Sequence, residues 1–230
     1  MRVIMVCAAL LAAGCTAAPD RVALPVTKDE LLRDLPQRMR DAGTVRFTSR
    51  RSDDTDHRPS TTGALRWDGD DLGVSTDSAG GTTVLLDGVL YDRLPPTTDV
   101  TLPPGKTWVR SERGATDRFA AGRDALHDAL RALWTPTRGL DAAAGQVTLT
   151  ERSDQPLDGE HTTRYTLDHQ GRVHRLWLDD RALPVRVEVD RAAQDGTPVT
   201  DTTDYRDWGG DAAVTAPPAD QTCGSAEVRY

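Results

Sequence analysis

The sequence predicts a mainly β fold of the α+β class, in which two amphipathic helices cover a curved antiparallel sheet of about nine to eleven strands. Short segments alternate apolar and polar residues with a period of two. The alternation is most regular where three valines alternate with Arg186, Glu188 and Asp190. Only two segments carry the helical period. The long helical crossovers that parallel strands require are missing, so we expect neighbouring strands to be antiparallel.

The first element is a lipoprotein signal peptide, predicted over residues 1–14. One positive charge at Arg2 precedes an apolar run that is too short to span a bilayer, and small residues stand before Cys15. We expect cleavage before Cys15 and a diacylglycerol on its thiol, which would anchor the chain to the outer face of the cell membrane. The alternative is an ordinary secretory signal and a soluble exported protein, because Ala12 stands where a branched aliphatic residue is usual.

Residues 15–26 are rich in alanine and proline and predict a flexible tether. The folded domain is predicted over residues 27–220. It begins with a capping box, since Thr27 is followed three positions later by Glu30. The first helix then runs to Gly43, and its apolar residues recur at helical spacing: Leu31, Leu32, Leu35 and Met39.

The period changes to two after Gly43. Asp68–Asp71 has the composition of a hairpin turn, and Asp87-Gly88 divides one apolar stretch into a second hairpin. A proline-rich loop follows at residues 95–105. Strands of this half are predicted at residues 45–48, 65–68, 84–94 and 107–110.

A second helix is predicted from Asp124 to Trp134, because its apolar residues share one face: Leu126, Leu130, Leu133 and Trp134. Period-two segments then resume. The predicted strands are residues 146–152, 161–168, 173–179, 184–190 and 199–208. Pro217-Pro218 is expected to end the regular structure, and residues 221–230 to form a disordered tail.

The net charge and the cysteines of the chain limit the ligands and the covalent bonds that we expect. The formal net charge of −8 argues against binding nucleic acid and against electrostatic attachment to anionic lipid. Cys7 would leave with the signal peptide and the lipid would occupy Cys15. Cys223 then has no intramolecular cysteine partner. It is interpreted as one half of an intermolecular disulfide, as a reactive thiol, or as a residue without a role in the C-terminal tail.

Residues 27–220 resemble the LppX/LprG-type lipoproteins of the LolA-like superfamily. The resemblance rests on the order and spacing of several segments and not on a catalytic signature. In the first half these segments are Leu85–Tyr91 and Gly105–Val109. In the second half they are Leu176–Asp180, Leu183–Val189, Tyr205–Gly209 and Ala216–Ala219.

The resemblance implies a half-open antiparallel barrel whose concave face is covered by the helices and encloses an apolar cavity. Members of this superfamily bind lipids, lipoproteins or lipidated glycans there. No motif fixes the cavity residues, so strand parity and the helix face nominate them, although each also fits plain core packing. The candidates are Phe47, Trp67, Trp108, Leu126, Leu130, Trp134, Leu149, Tyr165, Val185 and Val187.

Catalytic patterns are weak, and we expect a protein that is not an enzyme and that uses no cofactor or metal. Gly73–Asp77 lacks the second glycine of a nucleophile elbow. The three histidines at 161, 169 and 174 lack a placed carboxylate or thiolate and are interpreted as solvated turn residues. Asp68–Asp71 lacks the remaining ligand spacing of a calcium loop. It and the polar cluster at residues 53–57 are interpreted as turn and loop chemistry.

The sequence therefore favours a membrane-anchored carrier of a lipid or glycolipid, with the second helix or the proline-rich loop as a movable lid. The second hypothesis is a protein-interaction or sensor module of the same fold in the cell envelope, with a filled core and no lipid. A third, an exported hydrolase, would depend on Ser75 or His161.

Overall fold

The computed structural model describes residues 22–52, 60–137, 139–140, 143–193 and 195–230. The predicted signal peptide, Cys15 and the first part of the tether lie outside these ranges. The helices are α1 (Lys28–Ala42) and α2 (Arg123–Leu133). The first six strands are β1 (Thr44–Arg51), β2 (Thr61–Asp68), β3 (Asp71–Ser78), β4 (Gly81–Leu86), β5 (Val89–Arg93) and β6 (Trp108–Glu112). The others are β7 (Val147–Asp154), β8 (Thr163–His169), β9 (Arg172–Leu178), β10 (Pro184–Ala192), β11 (Pro198–Arg206) and β12 (Thr222–Gly224).

All twelve of these strands belong to one sheet, in the order β12-β6-β5-β4-β3-β2-β1-β11-β10-β9-β8-β7. Every neighbouring pair is antiparallel except β12 and β6, which run parallel. The sheet curves without closing, so β7 and β12 are its two edges. The predicted fold class, mainly β with a curved antiparallel sheet and two amphipathic helices, is confirmed. The strand prediction missed β3, whose central glycine and polar residues break the alternation, and β12.

Helix α1 begins and ends where the sequence predicts. The Thr27 hydroxyl accepts a hydrogen bond from the Glu30 backbone N–H at 3.2 Å, and the Glu30 carboxylate accepts one from the Thr27 N–H at 3.1 Å. Gly43 closes the helix with φ of 77°, a conformation that favours glycine. The apolar face of α1 is buried at Leu31, Leu32, Leu35 and Met39.

Two faces of the sheet carry separate apolar clusters. Adjacent residues in a strand point to opposite faces, so Leu65 joins the main core on the concave face while Ala64 joins a smaller cluster on the convex face. The smaller cluster is completed by Ala212 and Val214, which follow β11. The main core lies between the concave face and the two helices.

Residues 22–26 are bound to the domain, so the prediction of a flexible tether is wrong for this part. The Pro25 carbonyl accepts hydrogen bonds from the Tyr165 hydroxyl at 2.7 Å and from Arg152 Nε at 3.1 Å. The Val22 N–H donates to the Asp180 carbonyl at 3.2 Å. Leu24 packs against the main core. These contacts hold the segment because they combine apolar burial with satisfied backbone groups.

The C-terminal residues are also ordered, and the prediction of a disordered tail is wrong. Strand β12 pairs with β6, and Cys223 is only 3% exposed between Val109 and Phe119. Thr101 and Arg229 exchange two backbone hydrogen bonds of 2.8 and 3.1 Å, which tie the proline-rich loop to the C-terminus. A three-residue strand is too short to show a period, so the pattern did not reveal it.

Candidate ligand-binding site on the concave face

Helix α2 supplies the cover that the sequence predicted for the concave face. Leu126, Leu130 and Trp134 pack against the main core. The Trp134 ring stacks on Phe47 of β1, with centroids 4.9 Å apart and planes at 19°. The Tyr205 hydroxyl donates to the Trp134 carbonyl at 2.9 Å just beyond the end of the helix. Apolar contacts and one hydrogen bond therefore join this end of α2 to the sheet.

A glycine makes the aromatic stack possible. Gly63 of β2 lies directly opposite Phe47 of β1 in the register of the two strands. A Cβ at position 63 would lie 2.5 Å from the Phe47 ring, which is closer than packed atoms approach. The ring therefore lies flat over the β2 backbone because residue 63 has no side chain.

Most of the residues predicted to line a cavity do lie together in the main core. Phe47, Leu130, Tyr165 and Val187 are buried there. Trp67, Leu126, Trp134 and Leu149 are partly buried and pack against them. They come from both halves of the sheet and from α2, so strand parity and helix periodicity identified a common interior.

Two of the ten candidates lie elsewhere, and their assignment to the concave face is wrong. Trp108 packs against the smaller cluster on the convex face. Val185 stands at an irregularity of β10, where Pro184 pairs with Leu178 but Arg186 pairs with Trp177. The extra residue reverses the parity of the strand, and Val185 lines an outer groove instead.

A groove of about 540 Å³ opens between α2 and the sheet, and we refer to it as the α2 groove. Ala129 and Ala132 form its helical wall, and Val189 links its floor to the main core. Its volume lies within the range of about 300–1,000 Å³ that is typical of small-molecule sites. The remaining lining residues are charged or polar: Arg51, Arg172, His174, Arg191 and Asp201.

Cations outnumber anions among these residues. Asp201 accepts hydrogen bonds from Arg51 Nε at 3.1 Å and from Arg191 Nε at 2.8 Å, so one carboxylate is shared by two guanidinium groups. Arg172 adds a third guanidinium at an exposed position. The sequence interpretation missed these arginines. Their signal was the presence of arginine at inward positions of strands whose other inward residues are mostly apolar.

The interpretation of the histidines needs one correction. His169 and His174 do approach each other across the β8–β9 hairpin, with ring centroids 6.4 Å apart. His174, however, is only 5% exposed and faces the concave side within β9, so it is not a solvated turn residue. It lies near the turn in sequence, but its position in β9, opposite Leu167 of β8, turns its side chain inward. His161 is exposed and its Nδ1 lies 2.9 Å from an Asp180 carboxylate oxygen.

A polar cluster lies beneath the first turns of α2. Asp92 of β5 is 4% exposed, accepts a hydrogen bond from the Thr83 hydroxyl at 3.0 Å, and lies 3.6 Å from an Arg123 guanidinium nitrogen. Burial raises the pKa of Asp92, and the positive charge of Arg123 opposes that rise. His127, also on α2, is 3% exposed, and burial lowers its pKa.

Within the described ranges, no group of three or more His, Cys, Asp or Glu residues is placed to hold a metal ion. Ser75 lies inside β3, paired with Ala64 and Val84, and not on a strand-to-helix turn. Asp68–Asp71 forms the predicted β2–β3 turn. The aspartates at 53–57 lie outside the described residues. No helix in the described part of the chain is long and apolar enough to cross a membrane.

The described part of the chain thus forms an open, curved sheet with helices on its concave face and a groove beside α2. Among solved structures, the chain is similar to the crystal structure of MucB, with 18% identity and a TM-score of 0.41 over 89% of this chain and 66% of that one. It is also similar to MucB in complex with MucA(peri), with 16% identity and a TM-score of 0.36 over 84% and 61%. The chain thus spans less than two thirds of each. No protein-family model and no curated protein matches the sequence.

Proposed function

We propose that this protein is an exported, lipid-anchored lipoprotein that binds a lipid or glycolipid on its concave face and carries or presents it at the cell envelope. Its role is binding and not catalysis. The observation that supports the proposal is the α2 groove, whose floor at Val189 is continuous with the apolar core beneath the helix. A ligand in the groove is thereby placed beside the main core.

The binding mechanism is partition of an acyl chain from water into the space between α2 and the sheet. Each buried methylene contributes about 0.8 kcal/mol, so one chain supplies sufficient affinity without a large set of polar contacts. Helix α2 acts as the lid. Its own apolar residues, such as Leu130, occupy the concave face in the closed state and give way to the chain when the helix moves.

The anchor fixes which end of the domain faces the membrane. Val22, held by Asp180, is only seven residues after Cys15 in the sequence. Seven residues span at most about 25 Å. A diacylglycerol on Cys15 would therefore hold the end of the sheet that carries Asp180 within about 25 Å of the membrane surface. Arg172 and Arg191, which line the α2 groove, lie at the opposite ends of β9 and β10.

Filling the groove tests this function. The Ala129→Phe variant of the full chain places an aromatic ring in the α2 groove, whereas Ala125→Phe makes the same change at an exposed position of α2 that does not line it. We expect Ala129→Phe to lower the uptake of phospholipid from detergent micelles at least fivefold, as counted by native mass spectrometry. Ala125→Phe should bind like the wild type. Equal uptake by all three proteins, or none by the wild type, would overturn the proposal.

A second candidate function is a module that binds a protein partner without lipid. Two observations favour it. Eight of the ten predicted cavity residues already pack into one continuous core, and Phe47 stacks directly on Trp134. Strand β7 ends the sheet, and an edge strand is a template on which an extended segment of a partner can add a strand. This function predicts a lipid-free protein and a single partner bound at β7.

A further inference from the structure

We infer that the polar cluster beneath the first turns of α2 binds a neutral lipid headgroup with adjacent hydroxyls, while the acyl chain lies under the apolar second half of the helix. The inference rests on the proposed function and names the class of ligand. It follows from the polarity of the interface between α2 and the sheet, from three buried polar atoms of the cluster, and from the kind of group that can bind them.

A straight row of residues crosses the concave face beneath α2. The register of β1 to β5 places its five members directly opposite one another: Phe47, Gly63, Thr76, Thr83 and Asp92. Directly opposed residues of antiparallel strands point to the same face, and Phe47 belongs to the main core, so the row faces the concave side. Ser111 of β6 extends the polar cluster on this face, since it pairs with Leu90 of the main core, two residues before Asp92.

Helix α2 lies along this row. Its first residue, Arg123, has a guanidinium nitrogen 3.6 Å from the Asp92 carboxylate, and beyond its last turn the Trp134 ring stacks on Phe47. Four strand spacings separate β5 from β1, which amounts to about 19 Å. The 11 residues of the helix rise by about 16 Å. Because the two lengths agree, α2 crosses the five strands with its first turn over Asp92 and its end over Phe47.

Polar and apolar residues lie at opposite ends of this interface. On α2, one side of the helix carries in order Arg123, His127, Leu130 and Trp134. Arg123 and His127 both interact electrostatically with Asp92, whereas Leu130 and Trp134 pack against the main core. A lipid that lies along the row therefore meets hydrogen-bonding groups at one end and apolar side chains at the other.

Three buried atoms of the polar cluster have no hydrogen-bond partner among the described residues: Asp92 Oδ2, Ser111 Oγ and His127 Nε2. Their side chains belong to residues that are 4%, 0% and 3% exposed. The 3.6 Å contact between Arg123 and Asp92 Oδ2 is an ion pair that is too long for a hydrogen bond. Burying a polar atom without a partner costs free energy, so a ligand that supplies partners is bound more tightly. The headgroup reaches these atoms when α2 moves as a lid.

The chemistry of these atoms favours a neutral hydroxyl over an ionic headgroup. The Asp92 carboxylate, when ionised, only accepts hydrogen bonds, so its ligand must donate one. A phosphate has the same sign of charge as Asp92 and is repelled by it, and an ammonium group is repelled by Arg123. Burial lowers the pKa of His127, which is therefore neutral at pH 7 and offers one donor and one acceptor nitrogen. A hydroxyl donates and accepts, so adjacent hydroxyls can bind Asp92 and Ser111 together.

Headgroup recognition is measured with the full chain in detergent micelles that contain equal amounts of monopalmitoylglycerol and methyl palmitate. Both lipids have the same acyl chain, and only the first carries free hydroxyls. Native mass spectrometry counts the protein-bound molecules of each. We expect the bound ratio to favour monopalmitoylglycerol at least fivefold, and Ser111→Ala should lower that ratio at least threefold. The urea midpoint of Ser111→Ala should equal or exceed that of the wild type, because the variant removes a buried hydroxyl that is not hydrogen-bonded in the fold.

Ser49→Ala is the matched control. Ser49 is also a buried serine, in β1, but its hydroxyl accepts a hydrogen bond from the Thr203 hydroxyl at 3.2 Å. This variant should leave the lipid ratio unchanged and lower the urea midpoint. A larger loss of stability in Ser111→Ala than in Ser49→Ala would show that the Ser111 hydroxyl is bonded within the fold, and would overturn the inference.

The remaining outcomes separate the headgroup inference from the proposed function. Equal binding of the two lipids, or equal effects of the two variants on the ratio, would overturn the inference and leave lipid binding in place. If neither lipid binds, uptake of phosphatidylglycerol in the same assay would overturn the inference alone, and its absence would overturn the proposed function. Displacement of monopalmitoylglycerol by an equal concentration of free glycerol would identify a site for free polyols and also overturn the inference.

Discussion

Replacing Leu130 by alanine tests whether α2 is a lid that opens separately from the sheet. Leu130 is 5% exposed and points from α2 into the main core. Truncating a leucine in such a position costs about 2–5 kcal/mol. If the helix opens locally, this cost falls on its opening equilibrium, because Leu130 reaches water in the open state. At about 1.4 kcal/mol for each factor of ten, the open population rises about 30- to 4,000-fold.

Hydrogen exchange followed by mass spectrometry measures this change segment by segment. In Leu130→Ala, amides of residues 123–133 should exchange faster by that factor, while amides of β2 and β10 keep their wild-type rates. Leu65→Ala is the matched control, since Leu65 is fully buried in β2 and its truncation should accelerate exchange across the sheet. A uniform acceleration throughout the Leu130→Ala protein, or no change in α2, would refute a separately opening helix.

Three further predictions concern buried polar groups. Burial lowers the pKa of His127 below its usual 6.5. Below pH 6.5 the folded chain therefore binds fewer protons at this residue than the unfolded chain does, and the free energy of unfolding decreases as the pH falls. In urea unfolding at pH 7.5 and 5.0, His127→Gln should therefore lose less stability than the wild type, and an identical loss would contradict this. Tyr165→Phe removes the 2.7 Å hydrogen bond to the Pro25 carbonyl and should cost about 0.5–1.5 kcal/mol, with faster hydrogen exchange at residues 22–26. Unchanged exchange there would show that the segment does not depend on this bond. Burial raises the pKa of the Cys223 thiol and hides it, so a thiol reagent should label it at least tenfold faster in 8 M urea than in buffer. Equal labelling rates would contradict an ordered C-terminus.

Local chemistry explains why much of the fold was predictable. The capping box at Thr27 and Glu30 and the left-handed Gly43 are determined by neighbours in sequence, and the structure has both. The hairpin at Asp87-Gly88 follows in the same way, because both residues have positive φ. Eight of the ten candidate residues lie in or against the main core, because strand parity and helix periodicity decide which side chains point inward.

The remaining features depend on contacts that the local pattern does not contain. Val185 lies on the opposite face of the sheet from the one predicted, because one extra residue in β10 shifts its register against β9. Strand β12 exists because Cys223 is buried against Val109 of a distant strand. The three arginines of the α2 groove became a site only when β1, β9 and β10 were brought side by side, and charge alone did not distinguish them from surface arginines.

The most direct test of lipid binding is to purify the full chain from a bacterial host that processes lipoproteins and to weigh it intact by native mass spectrometry, with extraction of any bound lipid. The account predicts one co-purifying lipid or glycolipid per chain. A protein that carries no lipid and takes up none from phosphatidylglycerol micelles would contradict it and would favour the module that binds a protein partner.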